Sequence, residues 1–325
     1  MGRGTARLRP AATMGTVPSL SLVFAGSPAA AVPSLQALAG SSHRVVAAIT
    51  REDSPQGRRG ILTPTPVAVE AAELGIPVIR SNRLAGAPTD AVVELAPDLG
   101  VIVAYGGLVR EPLLSAPRLG WINLHFSLLP RWRGAAPVQR AIIEGDELTG
   151  ATVFQLVPDL DAGAVFGQLT QPIGALETAG HLLGTLSETG AQLLLRVVDN
   201  LADGTARAEP QSGDVTVAAK LTFEDGRIDW SANSATVANL IRGVTPEPGA
   251  FTTVDGARLK VLDAAIARDA PRLAPGQLAL EGRRLTAGTG SEPIELLVVQ
   301  PAGKTRMSAA DWWRGRPADA ARVAE

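Results

Sequence analysis

The chain has 325 residues, which is enough for two domains with separate cores, and its 46% hydrophobic and 19% charged residues are typical of a globular rather than a disordered protein. No apolar run approaches the roughly 20 residues that a membrane span needs, and the start lacks the apolar block of a secretory signal, so we expect a cytoplasmic protein with no membrane contact. The net charge of −2 argues against indiscriminate coating of nucleic acid, while the absence of cysteine and three widely separated histidines leave no metal-ligand spacing.

The first 19 residues carry Arg3, Arg7 and Arg9 without any acidic side chain. We interpret residues 1–19 as a disordered tail. A transit peptide remains an open alternative, as does Met14 as the true start.

Predicted strands and helices alternate from residue 20 onward. The apolar run LSLVFAG predicts a first strand, and helical apolar spacing follows it directly. The later elements in this part of the chain are strands at 45–50, 77–79, 98–105 and 122–126 and helices at 66–76 and 90–96. Such alternation predicts a mostly parallel sheet covered by helices, with a ligand crevice at the carboxyl ends of the strands.

The pattern changes in the second half of the chain. Two strands, 151–157 and 164–173, are predicted to pair around a Pro-Asp-Leu-Asp-Ala-Gly turn, and residues 178–201 form a long amphipathic helix. The predicted buried stripe of this helix is Leu182, Leu183, Leu186, Leu193 and Leu194. Residues 203–219 have the small, polar, Pro- and Gly-bearing composition of a linker. Closely spaced short strands after it predict a small closed or half-closed barrel.

The strand that contains Asn123 and His125 is the predicted place of chemistry. The two residues are two apart, so their side chains point to the same face of the strand. An amide and an imidazolium side by side can donate to the oxyanion that forms when an amine attacks a carbonyl carbon. Asp161 in the later turn supplies a carboxylate that favours the charged imidazolium.

Each of these three residues also has a purely structural explanation. Asn and Asp often stabilise turns through their own side chains. The surrounding blocks decide between the two interpretations: SLLPRWRGAAPVQRAI directly after N-L-H, LVFAGSPAAAVPSL, TREDSPQGRRGILTPTPV, VAYG, LDAG, DGRIDW, PGAFTTVDGARLKV and RMSAADWWRG. In this order, over nearly the whole chain, they resemble the folate-dependent formyltransferase family.

The resemblance implies an α/β fold in which a Rossmann-like formyltransferase domain with a mostly parallel sheet is linked to a C-terminal OB-like β-barrel. The expected catalytic domain is 20–202, the linker 203–219, and the OB-like tRNA-binding domain 220–318. The implied donor is 10-formyltetrahydrofolate, the implied acceptor is the α-amine of methionine on initiator tRNA, and no metal is needed. A monomer is the simplest expectation.

The resemblance also implies roles for individual residues. Asn123 and His125 stabilise the tetrahedral oxyanion, while Asp161 orients and charges His125 and assists proton transfer, directly or through a water. The expected folate contacts are Gly106, Gly107, Leu108, Val109, Ser127, Leu128, Leu129, Pro130, Val157 and Asp159.

For tRNA, the resemblance implies contacts from a basic loop with Arg51, Arg58 and Arg59, in which Glu52 and Asp53 dilute the charge. Further cations in the second half are candidates for a phosphate-tracking face or for ordinary solvated surface: Lys220, Arg242, Arg258, Lys260, Lys304 and Arg306.

Four other functions compete with this one. A dinucleotide enzyme is disfavoured because FAGSPA contains no G-x-G-x-x-G. A serine hydrolase built on Ser127 lacks the G-x-S-x-G elbow. A formyltransferase acting on another amine, such as a nucleotide-linked amino sugar, shares the same signature, and the second half of the chain argues against it. A catalytically silent RNA-binding protein is opposed by the intact set of Asn123, His125 and Asp161.

Overall fold

The computed structural model describes residues 18–57, 60–317 and 322–325, and its first part is built on a seven-stranded sheet. The predicted tail falls almost entirely outside these residues. The strands of the first part are β1 (Ser21–Gly26), β2 (Arg44–Thr50), β3 (Ser54–Gln56), β4 (Ile61–Thr63), β5 (Val78–Arg80), β6 (Leu99–Val103), β7 (Trp121–His125), β8 (Arg133–Gly134), β9 (Leu148–Gln155) and β10 (Val165–Pro172). All the strands predicted here are confirmed, whereas the β3–β4 hairpin and the short β8 were not predicted.

The order of the large sheet is β10-β9-β7-β6-β1-β2-β5. Strands β5, β2, β1, β6 and β7 run parallel, β9 pairs antiparallel with β7, and β10 pairs antiparallel with β9 at the edge. The chain reverses its direction of strand addition between β1 and β6, and ligand crevices of open α/β sheets lie at such points, outside the carboxyl ends of the strands. The end of β7 therefore lies beside the predicted crevice.

Helices cover both faces of this sheet. They are α1 (Val32–Ala39), α2 (Pro66–Glu73), α3 (Ala87–Glu94), α4 (Pro137–Ile143) and α5 (Ala179–Asp203). One core cluster packs β1, β6 and β7 against α1 and α5, and a second packs the other face against α3. The predicted stripe of α5 is confirmed except at Leu183, which is only half-buried.

The long helix α5 has local signals at both ends. The Thr178 hydroxyl accepts a hydrogen bond from the backbone N–H of His181, which satisfies one of the unpaired donors of the first turn. Gly204 ends the helix in the left-handed conformation, at φ +77°. Apolar spacing and these two caps explain why the sequence predicts this helix well.

The second part of the chain is an antiparallel barrel with its own core. Its elements are β11 (Val217–Ala218), α6 (Ser234–Gly243), β12 (Ala250–Val254), β13 (Ala257–Ile266), β14 (Leu278–Glu281), β15 (Arg284–Ala287), β16 (Ile294–Pro301), β17 (Met307–Ser308) and α7 (Ala309–Arg314). The order β12-β13-β16-β15-β14 leaves β12 and β14 as edges. Residues 322–325 bridge these edges: Leu278 N–H donates to Arg322 O at 2.7 Å, and Thr253 N–H donates to Glu325 O at 2.9 Å. The OB-like barrel predicted from the sequence is therefore confirmed.

The two parts are joined by direct contacts as well as by the chain. Helices α4 and α6 pack against each other. Arg140 pairs with Asp225 at 3.0 Å, and Arg242 donates from the second part to the carbonyl oxygens of Gly174 and Glu177 in the first.

Candidate active site

Strand β7 separates core residues from site residues by simple alternation. Ile122 and Leu124 lie in the hydrophobic core on one face, so Asn123 and His125 point to the other face. The pairing of Asn123 with Ile102 on β6 and Phe154 on β9 fixes its position in the sheet. The predicted common face of Asn123 and His125 is confirmed.

The His125 ring is buried, and one of its two nitrogens is held by a hydrogen bond. Its Nε2 lies 2.7 Å from the carbonyl oxygen of Trp132. A carbonyl oxygen only accepts hydrogen bonds, so this contact assigns a proton to Nε2. Nδ1 then faces Asp161, whose Oδ2 lies 3.7 Å away. The structure thus brings the predicted carboxylate to the predicted imidazole.

Asp161 occupies a turn with unusual backbone geometry. Its φ is +45°, in the left-handed region that residues with a Cβ rarely adopt. Its Oδ2 accepts a hydrogen bond from the backbone N–H of Gly134 at 2.8 Å, so the carboxylate is held between this amide and His125. An unfavourable backbone conformation at a carboxylate aimed into the site is typical of functional positions.

Burial controls the charge of His125. Loss of hydration lowers the pKa of the His125 ring below its ordinary value, and this effect outweighs the opposing effects of Asp161 and the Trp132 carbonyl, which both raise it. The direction of this shift favours the uncharged ring in the resting protein, with Nδ1 toward Asp161. The expected effect of Asp161 on the charge of His125 is present as the smaller, opposing effect that raises the pKa.

Asn123 has an unused hydrogen-bonding group. Its side chain is half-buried, and its Oδ1 is buried without a hydrogen-bond partner among the described residues. An unsatisfied buried polar atom costs about 1–3 kcal/mol. Such a cost fits a side chain held ready for a ligand.

The predicted folate loop is braced from within. Ser127 is fully buried, and its hydroxyl donates to Arg131 O at 2.6 Å. Thr152 ties the loop to β9 by donating to Ser127 O and accepting from Leu129 N–H. Leu129 and Pro130 are also buried, whereas Leu128 is half-buried. The side chain of Ser127 therefore shapes this loop and is not exposed to a ligand.

The remaining predicted folate residues flank the site at two strand ends. Gly106, Gly107, Leu108 and Val109 follow β6, and the Arg51 guanidinium donates to Gly106 O at 2.9 Å. Val157, half-buried, and Asp159, exposed, follow β9 and lead into the Asp161 turn.

A cavity of about 680 Å³ lies next to this region. Leu108 lines it together with residues 82–86, 89–90 and 110–112. Neither Asn123, His125 nor Asp161 lines this cavity.

The predicted tRNA contacts are only partly visible. Arg58 and Arg59 lie outside the described residues. Arg51 is engaged with Gly106 and with Asn82 Oδ1, so its guanidinium already has partners. All residues of strands β3 and β4, which follow Arg51, are exposed, and Ile61 and Leu62 are each more than 60% exposed.

The cations of the barrel differ in their surroundings. Lys220, Arg258, Lys304 and Arg306 are exposed. Lys260 is half-buried and donates to Pro248 O at 3.3 Å. Arg242 donates a hydrogen bond across the contact between the two parts of the chain, and burial lowers the pKa of its guanidinium.

The sequence did not single out three residues that hold the site together. Trp132 and Gly134 lie inside the motif SLLPRWRG but are identified as site residues only by their contacts with His125 and Asp161. Gln211 lies in the predicted linker and donates to the carbonyl oxygens of Asp161 and Gly163. No local sequence pattern signals a contact between residues 50 positions apart.

The described residues show neither a metal cluster nor a membrane-spanning helix. Within the described ranges, no group of three potential metal-ligating side chains is gathered in one place. Among the helices of the described part of the chain, none has the length and apolar content to cross a bilayer.

Comparisons with known proteins agree over most of the chain. The family model "Formyl transferase" matches residues 20–198, and the model "Formyl transferase, C-terminal domain" matches residues 220–317. A methionyl-tRNA formyltransferase of Clavibacter sepedonicus is 58% identical over 91% of this chain and 97% of its own length. One from Leifsonia xyli subsp. xyli is 58% identical over 93% and 99%.

A solved structure has the same fold at low identity. It is the N-formyltransferase from Helicobacter canadensis in complex with folinic acid and dTDP-3-aminofucose, which aligns with a TM-score of 0.65 over 87% of this chain and 99% of its own. Its identity of 17% supports likeness of fold alone.

Proposed function

This chain belongs to the formyl transferase family, and from that premise we propose that Asn123, His125 and Asp161 carry out its reaction at the end of β7. It transfers the formyl group of 10-formyltetrahydrofolate to the α-amine of methionine on initiator tRNA, the activity named for relatives that are 58% identical over more than nine tenths of the chain. The observation that best supports this site is the distance of 3.7 Å between Asp161 Oδ2 and His125 Nδ1. His125 lies on the same face of β7 as Asn123.

The residues around this centre fit a folate. Asn123 has a buried amide oxygen without a partner among the described residues, and the exposed stretches at Gly106–Leu108 and Asp159–Leu160 flank it on both sides. We propose that these stretches hold the folate with Val109, Leu128 and Val157, while Ser127, Leu129 and Pro130 form the rigid wall behind them. When bound, the folate supplies a formyl carbon on its N10 nitrogen.

His125 acts on the proton of the attacking amine. As a neutral ring with its proton on Nε2, it has a free lone pair at Nδ1, and that nitrogen faces the carboxylate. Nδ1 takes the proton as the new C–N bond forms, and Asp161 stabilises the resulting imidazolium. The same proton then passes to the folate N10, which leaves as the old C–N bond breaks. One C–N bond is thus formed and one is broken, and His125 returns to its starting protonation state.

Asn123 and the protonated His125 stabilise the charge that develops on the formyl oxygen. Since Nε2–H stays on the Trp132 carbonyl, the two donors at the oxyanion are the Asn123 amide N–H and the Nδ1–H that His125 carries after it has taken the proton. The positive charge on His125 thus exists during the reaction and not in the resting protein. In this sequence of steps, the lowered pKa leaves His125 able to accept the amine proton, and the Asp161 carboxylate stabilises the positive charge that results.

We also propose the domain division predicted from the sequence: catalytic domain 20–202, linker 203–219 and tRNA-binding barrel 220–318. The two family models end and begin close to these boundaries, which supports the division. A cytoplasmic location fits relatives that are bacterial translation enzymes, and a monomer remains the proposed state.

Transfer of a labelled formyl group from 10-formyltetrahydrofolate to charged initiator tRNA tests the function directly. Parallel reactions offer an elongator methionine tRNA and an amino-sugar nucleotide as acceptors. We expect rapid transfer to initiator tRNA and at least about 10²-fold less to the other two, because a site shaped for one acceptor leaves polar groups unpaired with another. Preferred transfer to the amino sugar would overturn the proposal.

A further inference from the structure

The segment predicted to be a simple linker is hydrogen-bonded to both halves of the catalytic centre. Glu209 exchanges two backbone hydrogen bonds with Val165, which follows the Asp161 turn, at 2.7 and 2.9 Å. Further along, Val217 and Ala218 form β11, which pairs in parallel with β8 at Arg133 and Gly134. Residues 209–218, called here the linker segment, therefore contact both the chain that follows the Asp161 turn and the strand β8.

Gln211 connects the two halves through its side chain. Its Nε2 donates to Asp161 O at 2.7 Å and to Gly163 O at 2.9 Å. Its Oε1 accepts from Nε and Nη2 of Arg133 at 3.1 and 2.6 Å. Both hydrogens of the amide and its oxygen are thus used, all on residues that flank the catalytic carboxylate.

The Asp161 turn needs such support. A left-handed conformation at a residue with a Cβ costs about 1–2 kcal/mol. Gln211 binds the carbonyl oxygens on either side of Ala162, so it favours the backbone that aims the Asp161 carboxylate at Gly134 N–H and His125. Relaxation of this turn would move the carboxylate away from the ring.

The same segment fixes the partners of His125 and Asp161 on the other side. Thr216 accepts from Trp132 N–H at 2.8 Å through Oγ1 and from Arg133 N–H at 2.9 Å through its carbonyl oxygen. Trp132 contributes the carbonyl that binds His125 Nε2, and the neighbouring Gly134 contributes the amide that binds Asp161. The linker segment therefore sets the distance between the imidazole and the carboxylate from both sides.

We propose that Gln211 is a positioning residue for formyl transfer. It acts through Asp161, and it connects the linker segment, which leads into the barrel, to the position of the catalytic carboxylate. This inference rests on the proposed function of Asp161. Gln211 does not contact the reacting atoms in this role, so its removal should affect the rate of the chemical step more than substrate binding.

The test uses the full-length protein with two substitutions at the same position. Gln211→Ala removes all four hydrogen bonds. Gln211→Glu keeps the size and the acceptor for Arg133 but faces the carbonyl oxygens of Asp161 and Gly163 with a group that cannot donate. The matched control is Ser212→Ala, the next residue, which is exposed.

We expect both Gln211 variants to lower kcat by about 10²-fold, the effect of a misplacement of about 1 Å, with KM for folate and tRNA within about twofold of the starting protein. Ser212→Ala should leave kcat unchanged. A double-mutant cycle gives the decisive readout: Asp161→Asn should cost much less in the Gln211→Ala background than alone, because both changes remove the same interaction.

The outcomes separate the two proposals. The positioning role is overturned, and the proposed function stands, if Asp161→Asn is slow but both folded Gln211 variants turn over normally. The same conclusion follows if the effects of Asp161→Asn and Gln211→Ala on kcat multiply independently in the double variant. If Asp161→Asn itself turns over normally, the proposed function fails. Should Gln211→Ala not fold, a normal kcat in the isosteric Gln211→Glu would overturn the inference by itself.

Discussion

The catalytic centre and the β3–β4 hairpin differ in how their functional side chains are held. His125 is buried, and each ring nitrogen faces a defined partner. The strands of the hairpin pair only with each other among the described residues, and all six of their residues are exposed. Bond-making groups thus sit in fixed, buried positions, whereas the described strands next to the predicted RNA contacts are exposed to solvent.

This difference predicts two kinds of mutational effect. In the centre, a substitution leaves a buried partner unsatisfied or displaces a reacting group, so it should reduce turnover. On the hairpin, a substitution removes a solvated contact, so it should reduce binding in a salt-dependent way. The predictions below test this contrast, beginning with the largest effect.

The largest effect is expected from substitution of Asp161 or His125. Asp161→Asn and His125→Ala should each lower kcat at least about 10²-fold, the range for a lost general base or oxyanion group. Single-turnover formylation measured with saturating folate and tRNA checks this. Near-normal rates in both variants would contradict the catalytic assignment and remove the contrast with the hairpin.

Two glycines give a matched comparison of packing in the two regions. A methyl group at Gly163 would overlap the carbonyl oxygen of Gln155, whereas one at Gly57, beside the hairpin, would meet open space at φ +67°. We expect Gly163→Ala to lower the free energy of unfolding by roughly 3 kcal/mol, and Gly57→Ala by about 1 kcal/mol from backbone strain alone. Urea unfolding of both variants measures this. An equal loss would show that the catalytic turn is no more tightly packed than the hairpin.

The sequence predicted the large sheet and the α5 helix because both depend on local periodicity. Asn123 and His125 were placed on one face by the two-residue repeat of a strand, and α5 by its apolar stripe. Asp161 was proposed as the partner carboxylate from its residue type and turn, but no spacing rule links a turn to a distant strand, so the resemblance decided between its catalytic and its structural interpretation. Gln211 and the burial of His125 escaped prediction because both depend on long-range contacts.

The charge state of His125 supplies a third test. Burial holds the pKa of its ring below the usual 6.5 or so, while Asp161 raises it in part. In a ¹³C-histidine NMR titration, the signal that disappears in His125→Ala should have its midpoint below about 6.5. Asp161→Asn removes the raising effect and should move the midpoint lower still.

The stability consequence follows from the same direction of shift. The unfolded chain binds the proton more tightly than the folded one, so His125 opposes folding as pH falls through the region below about 6.5 and has no such effect above it. A midpoint above that value, or an upward movement in Asp161→Asn, would contradict the neutral resting ring and the order of proton transfer built on it.

The smallest effect on turnover is expected from the basic loop. Arg58→Ala combined with Arg59→Ala should leave kcat at saturating tRNA unchanged, weaken tRNA binding, and reduce the slope of log K against log salt by up to about 2, one for each lost phosphate contact. Arg51→Ala is the matched control in the same loop. Because the Arg51 guanidinium donates to Gly106 O, its loss should raise KM for the folate and leave the salt slope nearly unchanged. If instead the double variant keeps its salt slope, the loop does not bind RNA through Arg58 and Arg59. A lowered slope in Arg51→Ala would support the sequence-based prediction that Arg51 is also a tRNA contact, and would contradict the purely structural role given to its guanidinium.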